Sequence, residues 1–377
     1  KARDDALRAA CAEGRGDRAA EARPSARHER DLAGEIECRG HPRAELLVLL
    51  HEREGNRRLC YLAGMARPRV FVLYTGGTIG MRATGVGFAP ETGDLARRVR
   101  SLPELEAPGM PEIELEQCDP LLDSADMQPS DWLRMAERIE ANYDRFDGFV
   151  ILHGTDTMAY TASALPFMLR GLAKPVILTG AQIPIGRVRS DARDNLVTSL
   201  AIAARGDVPE VCIYFAEKLM RGCRTVKVNA DGLDAFASPN FPPLGEAGIE
   251  IRVRHELVRR PGEHLEALHV QRLDGPVVAA LRLFPGISAR MLDNILRPPL
   301  QGVVLETYGV GNGPARDKEF LAVLRRATSG PEPIVIVATS QCVRGTVDHA
   351  GYATGVALRD AGVRSGRDMT SEAALAK

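Results

Sequence analysis

Hydrophobic runs of four to seven residues, rich in Val, Ile and Leu, recur along the chain from Val70 onward, and each closes on Gly, Thr, Ser or a charged residue. The first is Val70 to Tyr74, ahead of "TGG". It is followed by "FDGFVILHG", "KPVILTGAQ", "EVCIYFAEK", "PVVAALRLF", "QGVVLETYG" and "PIVIVATSQ". Between several of them lie amphipathic stretches such as "PSDWLRMAERIEANY" and "RSDARDNLVTSLAIAAR". A continuous apolar run has no polar face to leave in water. Such strands are buried on both sides, and the intervening helices supply the covering layers. The pattern predicts an α/β fold built on a mostly parallel sheet. In such sheets ligands sit beyond the C-terminal ends of the strands, which is where the Gly/Thr clusters fall.

Residues 1–64 read differently. Ala, Arg, Glu and Gly dominate, charges of both signs alternate, and no hydrophobic period emerges, so no fold is expected of them. The change of character at Met65 predicts a disordered leader or appended segment over 1–64, with Met65 as the native initiator. From there the expectation is a catalytic α/β domain over 65–248, a linker over 249–273 and a C-terminal α/β domain over 274–377. The linker is charged and contains Pro-Gly. The chain stops inside the helix-like "TSEAALAK", as a truncated chain would.

Composition narrows the function. With 377 residues and 45% hydrophobic content the chain can fill a core in each of two domains. The 49 basic and 50 acidic side chains cancel, so net charge recruits neither nucleic acid nor an anionic membrane, and a small molecule is the expected partner. Seven cysteines run from Cys11 to Cys342 with no CxxC pair. They give neither a zinc pattern nor a disulfide framework and fit a reducing cytosol. The longest early apolar run, Leu46 to Leu50, is far short of a signal-peptide core or of the roughly 20 residues that span a bilayer. A soluble, cytoplasmic protein is expected.

Three clusters could carry chemistry. "LYTGGTIGM", Leu73 to Met81, places two threonines around a glycine pair after a strand. It lacks the lysine of a phosphate loop and the glycine spacing of a dinucleotide fingerprint. It reads either as a strand-to-helix turn or as glycines clearing space around a reactive hydroxyl. "ILHGTDTMAY" offers Thr155, Asp156 and Thr157 at another strand end, as an ammonium site and proton relay or as a helix N-cap. In "RGCRTVKVNADGLDAFASPN", Lys227 alternates with Val226 and Val228, facing a cleft or open solvent. Lysine is scarce in this arginine-rich chain, and unlike arginine it can lose its proton and act as a base.

Together these clusters resemble the bacterial-type L-asparaginase family, in its intracellular type I branch. The resemblance runs from about Met65 to the chain end through "YTGGTIGM", "LLDSADM", "FDGFVILHGTDTMAYTASAL", "KPVILTGAQIP", "DGLDAFASPN", "FPGIS", "YGVGNGP" and "GYATGVAL". It implies the two-domain asparaginase-like fold, with a larger N-terminal domain and a smaller flavodoxin-like C-terminal domain. It also implies hydrolysis of L-asparagine to L-aspartate and ammonia through a threonine acyl-enzyme. The nucleophile falls on Thr78, with Thr75 supporting the turn. The proton relay falls on Thr155, Asp156 and Lys227. Asp123, Ser124 and Ala125 fall on the loop that holds the α-carboxylate and α-amino groups, with Asp156 pairing with the ammonium. A threonine hydroxyl needs a base to take its proton, and backbone N–H groups of the two Gly/Thr turns would hold the oxyanion. No metal or organic cofactor is implied, and the eight histidines are taken as structural or solvent-facing. Homodimers or homotetramers, with sites completed near the C-terminal domain, are the implied assemblies.

The chain departs from the pattern in places. Phe88 stands where many members carry a lid tyrosine, and Tyr308 is the candidate replacement, with ordinary packing as its other reading. Ala125 replaces a hydrogen-bonding side chain, which touches affinity for the α-carboxylate. Ala192 replaces a glycine and would be strained if that position needs positive φ. Cys223 replaces an asparagine and carries no reading. Val226 replaces a threonine that binds a second, activating asparagine in some type I members, so weak or absent cooperative activation is expected. The rival functions are the ammonia-releasing asparaginase-like subunit of a tRNA-dependent amidotransferase and an amino-acid sensor that has lost catalysis.

Overall fold

Val70 to Tyr74 is buried along its whole length and lies in the strand next to one edge of the largest sheet. The computed structural model describes residues 66–85, 87–90, 93–260, 266–273 and 275–377; the expected leader and Met65 lie outside the described residues. The N-terminal part carries strands β1 (Arg69–Gly76), β2 (Met81–Thr84), β3 (Gly87–Pro90), β4 (Glu112–Leu122), β5 (Gly148–Leu152), β6 (Leu169–Arg170) and β7 (Val176–Thr179). It continues with β8 (Val211–Phe215), β9 (Lys218–Arg221), β10 (Val226–Lys227), β11 (Phe236–Ala237), β12 (Gly245–Ala247) and β13 (Ile251–Val253). Helices α1 (Asp94–Arg100), α2 (Pro129–Asn142), α3 (Met158–Met168) and α4 (Ala192–Arg205) are interleaved with them.

The large sheet has eight strands in the order β13-β12-β9-β8-β7-β5-β1-β4. From β4 through β1, β5 and β7 to β8 the pairing is parallel, as the apolar runs predict. Beyond β8 the sheet finishes as an antiparallel meander through β9, β12 and β13. These edge strands are short and of mixed polarity, "KLMR", "GEA" and "IRV", so no apolar run announces them.

Alternation along β1 divides its side chains between two layers. Phe71 and Leu73 pack with Met135 and Ile139 of α2 and Leu165 of α3. Val70, Val72 and Tyr74 pack with Leu95 and Val99 of α1 and Leu196 and Leu200 of α4. Each such side chain contributes about 1.5–3 kcal/mol by leaving water. Helix α2 begins where Pro129 takes the first turn and Gln128 and Asp131 cap each other reciprocally, and α4 ends on left-handed Gly206. Ala192 is the first residue of α4 and is not among the positive-φ residues. The expected strain is therefore absent: its backbone is helical, and a methyl group suits its fully buried place.

After the short β14 (His269–Val270), the C-terminal part contains β15 (Val278–Arg282), β16 (Gly302–Thr307), β17 (Val335–Ser340) and β18 (Arg364–Ser365), with α5 (Ala289–Ile295), α6 (Lys318–Ser329), α7 (Ala353–Asp360) and α8 (Ser371–Ala376). β15 to β18 form a parallel four-stranded sheet over a core that includes Leu305, Phe320, Leu324 and Leu358. α8 packs against α3, joining the two parts. Within the segment expected to link them, Ile251–Val253 belongs to the large sheet and β14 pairs with β6. Among the described residues no helix is long and apolar enough to cross a membrane.

Candidate active site

Four neighbouring parallel strands, β4, β1, β5 and β7, end at the same edge of the large sheet. Each passes there into a loop that carries a polar cluster. β1 passes through Gly76 and Gly77, both with positive φ, into a 3-10 turn over Thr78–Gly80. The glycines are required by close approach. A Cβ on Gly76 would lie 2.0 Å from the Leu122 carbonyl oxygen, and one on Gly77 would lie 2.3 Å from the Gly154 Cα. A Cβ on Gly154 would in turn come within 2.4 Å of Ser124 Oγ. The turns that carry Thr78 and Thr155 and the loop that carries Asp123, Ser124 and Ala125 therefore touch through backbone and one small side chain.

The two threonines of the first turn have different environments. Thr75 is buried and donates its hydroxyl to the Leu152 carbonyl at 3.0 Å, tying β1 to β5. Thr78 is half-buried at the start of the 3-10 turn. Of the two, only Thr78 is both partly accessible and one residue from the Gly77–Gly154 contact.

Lys227 comes from β10, whose short antiparallel ribbon with β11 pairs it with Phe236. Its Nζ donates to Thr155 Oγ1 at 2.9 Å and to Asp156 Oδ1 at 2.7 Å. The lysine side chain is 17% exposed against 65% for Asp156. Lysine thus spans a buried hydroxyl and an open carboxylate, leaving Asp156 accessible to a further cation. Asp156 and Thr157 lie at the N-terminal approach to α3, yet neither caps it through its side chain. Thr157 instead donates to the Ser124 carbonyl at 2.7 Å, fastening the β4 loop to the β5 loop. Asp123 accepts the backbone N–H of Ala125 at 3.0 Å, and both are exposed.

Two participants escaped the sequence reading. Thr155 donates its own proton to Gln182 Oε1 at 3.0 Å, while Gln182 Nε2 donates to the carbonyls of Ala230 and Gly232 at the tip of the lysine ribbon. Those two carbonyls fix the amide orientation, so the Thr155 oxygen is left to accept from Lys227. The signal was available: Gln182 follows β7, the strand next to β5. The second is His153, which is fully buried. Its Nδ1 faces the Gly154 carbonyl at 2.6 Å, and its Nε2 faces the Thr161 hydroxyl at 2.8 Å. Thr161 also accepts from Trp132 Nε1 at 3.0 Å. Burial pushes the imidazole down to about 4 against a small upward contribution from Gly154, so the ring is neutral, with Nδ1 as donor and Nε2 as acceptor.

Beneath the Thr78 turn, the Tyr74 hydroxyl occupies the space where a Cβ on Gly80 would fall. Burial, with the nearby Asp94 carboxylate, pushes it up to about 12. Phe88 belongs to β3, and its side chain lies outside the described residues. Tyr308 follows β16, half-buried against the C-terminal core, and is not part of the hydrogen-bonded group around Thr155. The Cys223 side chain is half-buried, and burial pushes its thiol up despite Arg221 and Arg224.

Residues 69–259 match the family model for the N-terminal part of asparaginase, and 277–377 match that for the glutaminase/asparaginase C-terminal domain. The chain is 49% identical over 314 residues to L-asparaginase 1 of Escherichia coli K12, covering 83% of this chain and 91% of that protein. Among solved structures, L-asparaginase I of Vibrio cholerae superimposes with a TM-score of 0.75 at 44% identity, covering 82% of this chain and 91% of the other. The thermostable L-asparaginase of Thermococcus kodakarensis gives 0.74 at 37%, with the same coverage of 82% and 91%. The chain belongs to the asparaginase family.

Proposed function

We propose that this protein hydrolyses L-asparagine to L-aspartate and ammonia through a threonine acyl-enzyme. The observation that carries the proposal is the bridge from Lys227 to Thr155 and Asp156, one residue from the backbone contact that adjoins Thr78. In this scheme the Asp123–Ser124–Ala125 loop and the open Asp156 carboxylate hold the α-carboxylate and α-ammonium groups. Thr78 Oγ attacks the side-chain amide carbon; its proton passes to Thr155 Oγ1 while the Thr155 hydroxyl, turned from Gln182, gives its own proton to Nζ of Lys227 in its free-amine form. The amide nitrogen leaves as ammonia after taking up a proton. Water, deprotonated through the same relay, then cleaves the ester, releases aspartate and restores the Thr78 hydroxyl. Backbone N–H groups of the Gly76–Thr78 and Gly154–Asp156 turns stabilise the oxyanion; one such donor contributes about 3 kcal/mol.

Similarity to the type I enzymes supports a cytoplasmic place and a homo-oligomer. Tyr308 keeps a catalytic role only in such an oligomer, where the C-terminal domain of another copy completes the site. Catalysis is tested by a coupled ammonia assay with L-asparagine and L-glutamine, without tRNA or a second subunit. Ammonia release by the wild type and its loss in Thr78→Ala support the proposal. A thermal shift with asparagine and no ammonia would identify a sensor instead.

A further inference from the structure

The ribbon that presents Lys227 is too short to hold itself. β10 and β11 have two residues each and pair only with one another, and even longer two-stranded hairpins are marginal on their own in water. Its tip is tied down by the Gln182 amide through Ala230 and Gly232. Its base, where the chain enters at Arg224 and leaves at Asn240, is held by the C-terminal domain.

Arg224 makes a bidentate ion pair with Asp368, with Nη1 to Oδ1 at 3.1 Å and Nη2 to Oδ2. The arginine side chain is 17% exposed and Asp368 40%. Asn240 completes the grip. Its Nδ2 donates to the carbonyls of Gly345 and Asp368, both at 3.1 Å, and its Oδ1 accepts the Gly345 N–H at 2.9 Å. Arg344 adds a bond from Nε to the Pro239 carbonyl at 3.1 Å. Arg224 also lies over the Phe241 ring, 5.7 Å from its centroid. The Asp368 carboxyl is held below its ordinary range chiefly by its hydrogen bonds to Arg224, so the clasp is charged at neutral pH. A planar guanidinium on a carboxylate fixes orientation as well as distance, which a simple tether would not.

We propose that Arg224, with Asp368 and Asn240, is a positioning device through which the C-terminal domain sets the place of Lys227 against Thr155. The proposal rests on the reading of Lys227 as part of the relay. Arg224 touches neither substrate nor reacting atoms; it acts through Thr225 and Val226, the two residues that separate it from Lys227.

The experiment compares wild type with Arg224→Met, Asp368→Asn and the charge-retaining Asp368→Glu. The first readout is the rate at which an amine-acylating reagent labels Lys227 in the absence of substrate, followed by peptide mass spectrometry. The second is kcat and KM for L-asparagine beside the melting temperature. In Arg224→Met and Asp368→Asn, Lys227 labels several-fold faster, and kcat falls between about ten- and hundredfold at nearly constant KM. Asp368→Glu recovers much of both. Should Arg224→Met fail to fold, Asp368→Asn, at the more exposed partner, carries the comparison. Labelling and kcat both at wild-type values in the variants overturn the proposal, as does a loss of activity that only tracks the unfolded fraction. Labelling needs no turnover. Faster labelling in variants of a protein that releases no ammonia would sink the asparaginase reading while leaving the positioning intact.

Discussion

Gly77 and Gly154 meet backbone to backbone: a side-chain carbon on Gly77 would lie 2.3 Å from the Gly154 Cα and 2.4 Å from its nitrogen. This contact brings the Thr78 turn against the Thr155 turn, and no other residue type allows it. At φ 88° Gly77 also occupies a conformation that L side chains avoid.

Gly77→Ala should therefore displace one turn from the other. The expected outcome is a soluble protein with strongly reduced kcat, or one whose melting temperature drops by several degrees, as strain and clash of about 2–4 kcal/mol would produce. Steady-state kinetics beside differential scanning calorimetry checks it. Wild-type values in both would show that the two turns do not depend on this approach.

Thr155→Val removes a hydroxyl while keeping its volume. It leaves Gln182 Oε1 without its donor and Lys227 with Asp156 alone. Turnover should fall by about a hundredfold or more if the hydroxyl moves the nucleophile's proton. Gln182→Leu, which leaves that hydroxyl in place but removes its acceptor and the two bonds to the ribbon tip, should cost about tenfold, the equivalent of about 1.4 kcal/mol and within what lost hydrogen bonds supply. Ranking the two variants by kcat separates the relay from its support.

His153 makes stability depend on pH in a defined direction. The unfolded ring takes up its proton near 6.5, and the buried folded ring only near 4. Between these values the unfolded state binds more protons, so the stability is complete above 6.5 and is lost as the pH falls towards 4. The loss amounts to at most about 3 kcal/mol. Urea unfolding across that range should show a fall in wild type that is shallower in His153→Gln. An equal slope in both would assign acid sensitivity to other groups.

Much of this molecule was legible from its apolar runs because both faces of the central strands are covered. "GFVIL" and "VILT" have every residue buried, so their boundaries are written in hydrophobicity. The meander was not, since β12 and β13 pair at the sheet edge with half-exposed side chains. Thr78, Thr155, Asp156 and Lys227 could be singled out because each follows or lies in a short strand beside glycine or a charge. The partners that orient them depend on fold rather than on local pattern. Gln182 is 27 residues from Thr155, and Asp368 is 144 residues from Arg224. The expectation of strain at Ala192 failed because a glycine in related chains does not by itself disclose its φ.

Covalent capture at one hydroxyl tests the account most directly. Wild-type protein mixed with L-asparagine, quenched in acid and digested, should yield the Thr78 peptide carrying an aspartyl ester. Thr78→Ala should yield no ester and no ammonia. An ester on another residue, or full turnover by the alanine variant, would contradict it.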